Sequence, residues 1–469
     1  MGYFWLPDDP ARRVTGRVNF DGTSIELSLF DNLTVVEMPP DGLGLGHPQR
    51  ETHPRIFGRL IEDGDDDTSS VGLGNAHHVT LVDAVGMVLN LPAEELTQRW
   101  DIDCIILGAH TIDTATKKAR LHFDALKGWA NPPFLAGGYR RDGVVTADIT
   151  ESVLHQAVTA DATYRVLSSA EGVWGLDVHL DRRTWIEVEA LNESPFGGLH
   201  SKWIRSIHDL LIVCIGGPVA LSEVRVEVGS IWGGTKWAAL VFRATQDTSR
   251  RDISAFRLRE HGTLALLFPE DEPADFSYFV PEWLQLRDDL AKVIEPMTSI
   301  FYSASIYSEH RYANTFKAAE ELAKRSFETS DLPKAQHQER VEMILGASRD
   351  ACVPDAHIDW AERVLRSRND SPLRVLIEKL IDDTGEVGAA INRAIPGAAQ
   401  RMSAARTAVS HGGMKTDTTQ QQWLGALLML VLRLHVLREI GLEPSVVESR
   451  VLTSRSFQRA LRALQPQNR

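Results

Sequence analysis

The stretch RTAVSHGG, Arg406 to Gly413, sets an arginine and a histidine five positions apart, ahead of two glycines. A guanidinium is always charged and an imidazole titrates near neutrality, so the pair has the parts to neutralise a phosphate and move a proton. The spacing alone is weak: with 16 histidines in 469 residues, an Arg-x4-His arises about once by chance. Met402, Ala405 and Val409 form the apolar stripe of a predicted helix over 397–410, and Arg406 borders that stripe. Five residues of continuous helix turn about 140°. The two side chains therefore diverge unless the helix ends at or just before His411, which Gly412-Gly413 would permit. Read from these residues alone, Arg406 packs along a bundle and His411 is a cation at a helix C-terminus, where the partial negative charge favours the imidazolium.

Other patterns lack the context their chemistry needs. GLGLG at Gly42–Gly46 follows Pro39-Pro40 and runs into His47-Pro48 with no helix behind it, so it reads as a loop and not a phosphate cradle. His77-His78 has no carboxylate or cysteine at metal-ligand spacing and reads as a surface pair. The three cysteines, Cys104, Cys214 and Cys352, are far apart in apolar settings. They predict neither a disulfide framework nor a zinc site, and fit a reducing cytoplasm. No G-x-S-x-G, H-E-x-x-H or kinase pattern occurs, and neither a metal nor a cofactor is expected.

Two kinds of element must position these residues. Over the first ~285 residues, alternation and β-branched content predict strands. Val14–Phe20 and Thr23–Leu29 flank Asp21-Gly22, a tight-hairpin signal. Further strands are predicted at 33–38, 55–61, 79–88, 103–107, 120–123, 184–190, 222–228, 238–243 and 263–268. Ser201–Ile215 breaks the pattern: Trp203, Ile207, Leu210, Leu211 and Cys214 recur at helical spacing up to Gly216-Gly217-Pro218. From Pro281 the period becomes helical. Trp283, Leu286, Leu290, Val293, Met297 and Ile300 predict one long amphipathic helix, and further helices are predicted at 309–327, 338–347, 356–366, 373–383 and 397–410. The last, 419–440, is apolar nearly all round and belongs at the centre of a bundle. The fold expected is α+β, with a mostly β N-terminal domain over 1–285, sandwich-like with an inserted helix, followed by an all-α helical bundle over 286–469.

Composition narrows the partners. The net charge is −14, but residues 1–289 carry 26 basic against 43 acidic side chains, a net of −17, and residues 290–469 carry 24 against 21, a net of +3. An acidic front half repels phosphate, while the back half tolerates it. The best apolar run, Leu424 to Leu432, ends at Arg433, short of the ~18 residues a membrane span needs. MGYFWLPDDP has no basic segment before an apolar one and is not a secretory signal. A cytoplasmic protein that does not engage a membrane is expected.

Several blocks resemble one family, in that family's order. YFWLPDDP, Gly16-Arg17-Val18 with the strand SIELSL, Ile56-Phe57-Gly58 and VTLVDA resemble the N-terminal domain of ApeA-like proteins, which are bacterial anti-phage defence factors. LHFDALKGW (Leu121 to Trp129) and SIHDLLIVCIGGPV (Ser206 to Val219) resemble later blocks of the same domain. SEHRYANTFKAAEELAKR resembles the first long helix of the ApeA-like HEPN domain, with its central acid. ARTAVSHGG falls where that domain keeps an Arg-x4-His followed by glycine.

The resemblance implies that the back half is a HEPN bundle. HEPN domains commonly dimerise so that two Arg-x4–6-His motifs share one cleft, and many are metal-independent endoribonucleases. It assigns Arg406 and His411 as the catalytic pair. Thr407 is a supporting position, and a departure, since active members often carry Asn, Asp or His there. Glu320, or its neighbour Glu321, matches the first-helix acid, with a helix salt bridge as its alternative role. The partners implied are RNA, with tRNA as one class, a phage-derived trigger at the N-terminal domain, and a second copy in a homodimer or higher homo-oligomer. The function implied is that of a defence ribonuclease, toxic once activated. Two rivals stand beside it: a catalytically inactive HEPN dimer serving as a scaffold, and a β-domain ligand-binding protein with a helical oligomerisation bundle.

Overall fold

A computed structural model of the chain describes residues 1–20, 24–33, 49–61, 78–88, 98–131, 137–139, 145–147, 151–173, 179–231, 233–242, 265–272, 274–302, 307–411 and 417–465. It divides into two compact units: Met1–Glu260 with Phe268–Leu284 and Phe301–Ala304, and His261–Leu267 with Gln285–Ile300 and Ser305–Arg469.

In the first unit, β1 (Gly2–Trp5), β2 (Val14–Phe20), β3 (Ile25–Leu29), β4 (Gln49–Leu60), β5 (His78–Val88), β6 (Gln98–Asp101) and β7 (Cys104–Leu107) are followed by β8 (Ala115–Phe123). After a short helix, α1 (Leu126–Ala130), come β9 (Gly137–Tyr139), β10 (Val145–Ala147), β11 (Ser152–Val158), β12 (Ala162–Val173) and β13 (His179–Pro195). Helix α2 (Arg205–Ile215) precedes β14 (Leu221–Gly229) and β15 (Thr235–Phe242). Strands β9 and β10 pair with each other, and the other thirteen form one sheet, in the order β11-β12-β13-β8-β14-β15-β7-β5-β4-β1-β2-β3-β6. The sandwich-like front takes the form of this continuous sheet, closed into a barrel at one end.

Strand β5 makes the closure. One edge pairs with β4 from Arg59↔His78 to Gln49↔Val88. On the other edge Val79–Val82 pair with β7, and Val85–Met87 pair with β6. The change of partner falls at Asp83, whose φ of 51° is left-handed, a conformation that Asp tolerates better than most side chains. Inside, alternate residues meet in one core: Phe4, Val14, Ile25, Leu27, Leu29, Ile56, Leu81 and Trp100. The Trp100 ring lies so close under β5 that a Cβ at Gly86 would come within 2.5 Å of it.

Helix α2 keeps the apolar spacing read from the sequence, with every residue from Ser206 to Ile215 buried. It stops where expected: Gly216 has a φ of 77° and donates to Ile212 O at 2.7 Å. His208 sets α2 on β8, its ring 5.2 Å from that of Phe123.

Helices follow: α3 (Phe276–Asp289), α4 (Ala291–Tyr302), α5 (Ser308–Ser326), α6 (Lys334–Asp350), α7 (Asp355–Ser367), α8 (Leu373–Asp382), α9 (Glu386–Ala394), α10 (Ala398–His411), α11 (Thr418–Glu439), α12 (Pro444–Thr453) and α13 (Arg455–Leu464). Two expectations are corrected. The single long helix from Pro281 is two helices, beginning earlier, where Asp275 Oδ1 accepts from the backbone of Ser277 and Tyr278. The apolar period runs unbroken through Leu290, yet Arg325 takes the Asp289 carbonyl at 3.0 Å, and Pro296 has no N–H to offer the ladder. Ala265 to Phe268 is not a strand; Ala265, Leu266 and Leu267 are buried, and Leu266 O accepts from Arg450 at 2.7 Å instead of from a sheet neighbour. Helix α11 is the central rod, with every residue from Leu427 to Leu437 buried, as its uniform apolarity requires. GLGLG, EDGDDD and most of the stretch 33–38 lie outside the described residues.

Candidate active site

Helices α5 and α10 position the candidate groups. Tyr312 is 2% exposed, and its hydroxyl donates to Met402 O at 2.6 Å, pinning the middle of α10 to α5. Burial pushes the Tyr312 phenol well above its ordinary range, so it remains a donor. One turn beyond Met402 on α10, Arg406 brings Nη2 to 4.0 Å from Glu320 Oε2. The other oxygen of Glu320 accepts from Lys324 Nζ at 2.7 Å, one turn further along α5. That hydrogen bond is the main reason the Lys324 ammonium is held above its usual range.

Glu320 thus lies between two cations, one in contact and one at the limit of an ion pair. The Arg406 side chain is 43% exposed, so the attraction is worth about 0–1 kcal/mol. A guanidinium held this loosely is oriented without being consumed, and can exchange its carboxylate for a phosphate. The helix-salt-bridge role of Glu320 is present through Lys324, and Glu320 also faces Arg406. Glu321 adds its charge to the hold on Lys324. Lys324 was not singled out from the sequence, although its i,i+4 spacing from Glu320 is the signal that finds it.

Thr407 is exposed, and its hydroxyl donates to Ser403 O of its own helix at 3.1 Å. Helix α10 runs without a break to His411, which leaves about 140° and some 7.5 Å of axial rise between the two candidate positions. The helix does not end short of His411. The side chain of His411, with Gly412 and Gly413, lies outside the described residues. Among the described residues no group of three or more His, Cys, Asp or Glu side chains could hold a metal ion, and no helix is long and apolar enough to cross a membrane. His78 is half-buried and edge-on to the ring of His110 at 4.6 Å, which makes it packing and not a surface residue.

The family model described as ApeA N-terminal domain 1 matches residues 1–283, and the one described as Apea-like HEPN matches residues 313–445. The chain belongs to the ApeA family. It is therefore an anti-phage defence protein with a HEPN domain, of a domain family that typically acts as nuclease, binds RNA and dimerises. In this ApeA-family chain the HEPN match spans Glu320, Lys324, Arg406, Thr407 and His411 together. No curated protein and no solved structure matches it.

Proposed function

We propose that residues 286–469 act as a metal-independent endoribonuclease and that residues 1–285 hold this activity until a phage-derived trigger arrives, so that cleavage of RNA, tRNA among the candidates, arrests the infected cell in its cytoplasm. The observation that carries this is the state of Arg406: half-exposed, on the same helix as His411, and within 4.0 Å of Glu320.

RNA supplies its own nucleophile, the 2′-hydroxyl. A histidine takes the 2′-proton as the 2′-oxygen bonds to phosphorus. Arg406 neutralises the charge that builds on the non-bridging oxygens. The bond from phosphorus to the 5′-oxygen breaks, and that oxygen takes a proton from an imidazolium. The products are a 2′,3′-cyclic phosphate and a 5′-hydroxyl. The step needs one base and one acid, and positions 406 and 411 stand about 140° apart around α10. Two copies facing each other supply a histidine for each role, so a homodimer is the minimal active form.

The purified chain should cut total RNA in EDTA, leaving 5′-hydroxyl ends, and His411→Ala should slow this by about 10²–10⁴-fold with Arg406→Ala comparably impaired. Cleavage that survives His411→Ala would sink the assignment. One observation favours an inactive HEPN scaffold instead: the Thr407 hydroxyl is spent on its own helix. That reading expects a dimer that binds RNA and never cuts it.

A further inference from the structure

The helices that join the two halves of the sequence are fastened to the first unit at both ends, by contacts of opposite chemistry. Phe268–Leu284 and Phe301–Ala304 belong to the first unit, while Gln285–Ile300 between them belongs to the second. At the leading end the hold is apolar. Phe276, Phe279, Val280 and Trp283, spaced three and four residues apart on α3, are each at most 1% exposed. Phe276 and Phe279 pack edge-on to Trp129, each with ring centroids 6.3 Å from it. Trp283 Nε1 adds a hydrogen bond to Ser206 O at 2.9 Å.

At the trailing end the hold is polar. The half-buried Tyr302 donates its hydroxyl to Asp209 Oδ1 at 2.6 Å, and Asp209 is 0% exposed. The Tyr302 ring stands edge-on to His208 at 4.7 Å. Both ends therefore land on α2, one turn apart, at Ser206 and at His208-Asp209. Between them, the part of α4 in the second unit is bonded to α5: Asn314 Nδ2 lies 3.4 Å from Ser299 Oγ. Helix α5 carries Glu320, the partner of Arg406.

An apolar stripe fully removed from water is lost only with the core around it. A single hydrogen bond whose donor stands at a partly exposed helix end can open locally, without the loss of a core. We propose that the Tyr302–Asp209 hydrogen bond is a release latch: closed, it fixes the end of α4, from which the chain runs on into α5 and Glu320, and its opening when the trigger arrives frees that end while the Phe276–Trp283 anchor stays in place. The restraint rests on the proposed ribonuclease; the latch itself does not.

Tyr302→Phe in the full-length protein keeps the ring against His208 and removes only the hydroxyl. Hydrogen exchange of the amides from Met297 to Tyr302 should quicken by about tenfold or more, as expected for losing a hydrogen bond to a carboxylate, with Phe276–Trp283 unchanged. Asp209→Asn, which retains an acceptor oxygen, should exchange like the wild type. Cells carrying Tyr302→Phe should stop growing without phage, and adding His411→Ala should restore growth. Unchanged exchange in Tyr302→Phe overturns the latch, and faster exchange in cells that grow normally until infected overturns its restraint of the activity. Faster exchange with arrest that His411→Ala fails to relieve upholds the latch and removes the ribonuclease.

Discussion

Three ionisable groups of the first unit are part of its core. His110 is 3% exposed, bonded to Gly58 O at 2.8 Å and stacked on Phe57. His208 is bonded to Val219 O at 2.5 Å, and Arg55, 6% exposed, spends Nη2 on Asp113 O at 2.6 Å. In the second unit Arg406 and Glu320 stand on helix faces, partly exposed, with a 4.0 Å gap between them. A polar group whose hydrogen bonds are all spent inside a core has none to give a ligand, and losing it costs stability. One that is oriented but unconsumed can bind. His110, His208 and Arg55 should therefore read out in stability, and Arg406 and Glu320 in activity.

The largest effect that tests this division is in the barrel. Trp100→Ala removes a ring that is 1% exposed and closely covered by Gly86, and should destabilise the first unit by about 3–5 kcal/mol. Tyr312→Phe, which gives up one hydrogen bond to Met402 O in the second unit, should cost about 1 kcal/mol. Denaturant melts with a probe in each unit check both. A Trp100→Ala protein as stable as the wild type would mean the barrel core does not hold the first unit together.

The next effect follows pH. Burial lowers the His208 pKa from 6.5 to about 4. Between those values the unfolded chain binds a proton that the folded chain refuses, so stability rises with pH across that window and is lost as pH falls through it. The loss from this group is on the order of 3 kcal/mol between about pH 6.5 and 4. His208→Gln should flatten the pH dependence of the melting midpoint in that window. An unaltered slope would mean that His208 is not held neutral by the core.

What the sequence disclosed differed between the same two regions. Strand β2 was legible to the residue because Val14–Phe20 alternates and the dipeptide Asp21-Gly22 follows it in the sequence. Helix α11 was legible because apolarity on all sides has one stable place, the middle of a bundle. Strand β12 was not, since its Ser168-Ser169 centre has little strand preference and is carried by twelve paired residues of β13. The barrel closure was hidden for a similar reason: nothing local marks Asp83 as the residue where β5 changes partners. At the candidate site, Arg406, His411 and Glu320 came from spacing and family resemblance, and periodicity gave their helices. The approach of Arg406 to Glu320 depends on how α5 and α10 pack, across 86 positions of sequence, and no spacing rule reaches that far.

The smallest effect sharpens the comparison most, because it asks whether Glu320 belongs with the consumed groups or the available ones. As a positioning residue it only aims the Arg406 guanidinium and neutralises Lys324, so Glu320→Gln should leave the melting midpoint nearly unchanged, by the 0–1 kcal/mol of an exposed pair. Its effect on cleavage should appear in KM, by a few-fold, because an arginine without its carboxylate meets phosphate differently but still meets it. The chemical step should hardly change. Were Glu320 instead the acid or base, kcat would fall by about 10²–10⁴-fold, and the pH–rate profile would lose a limb. With kcat so reduced and KM untouched, the proton transfer would belong to α5, and His411 would be left as a helix-terminal cation.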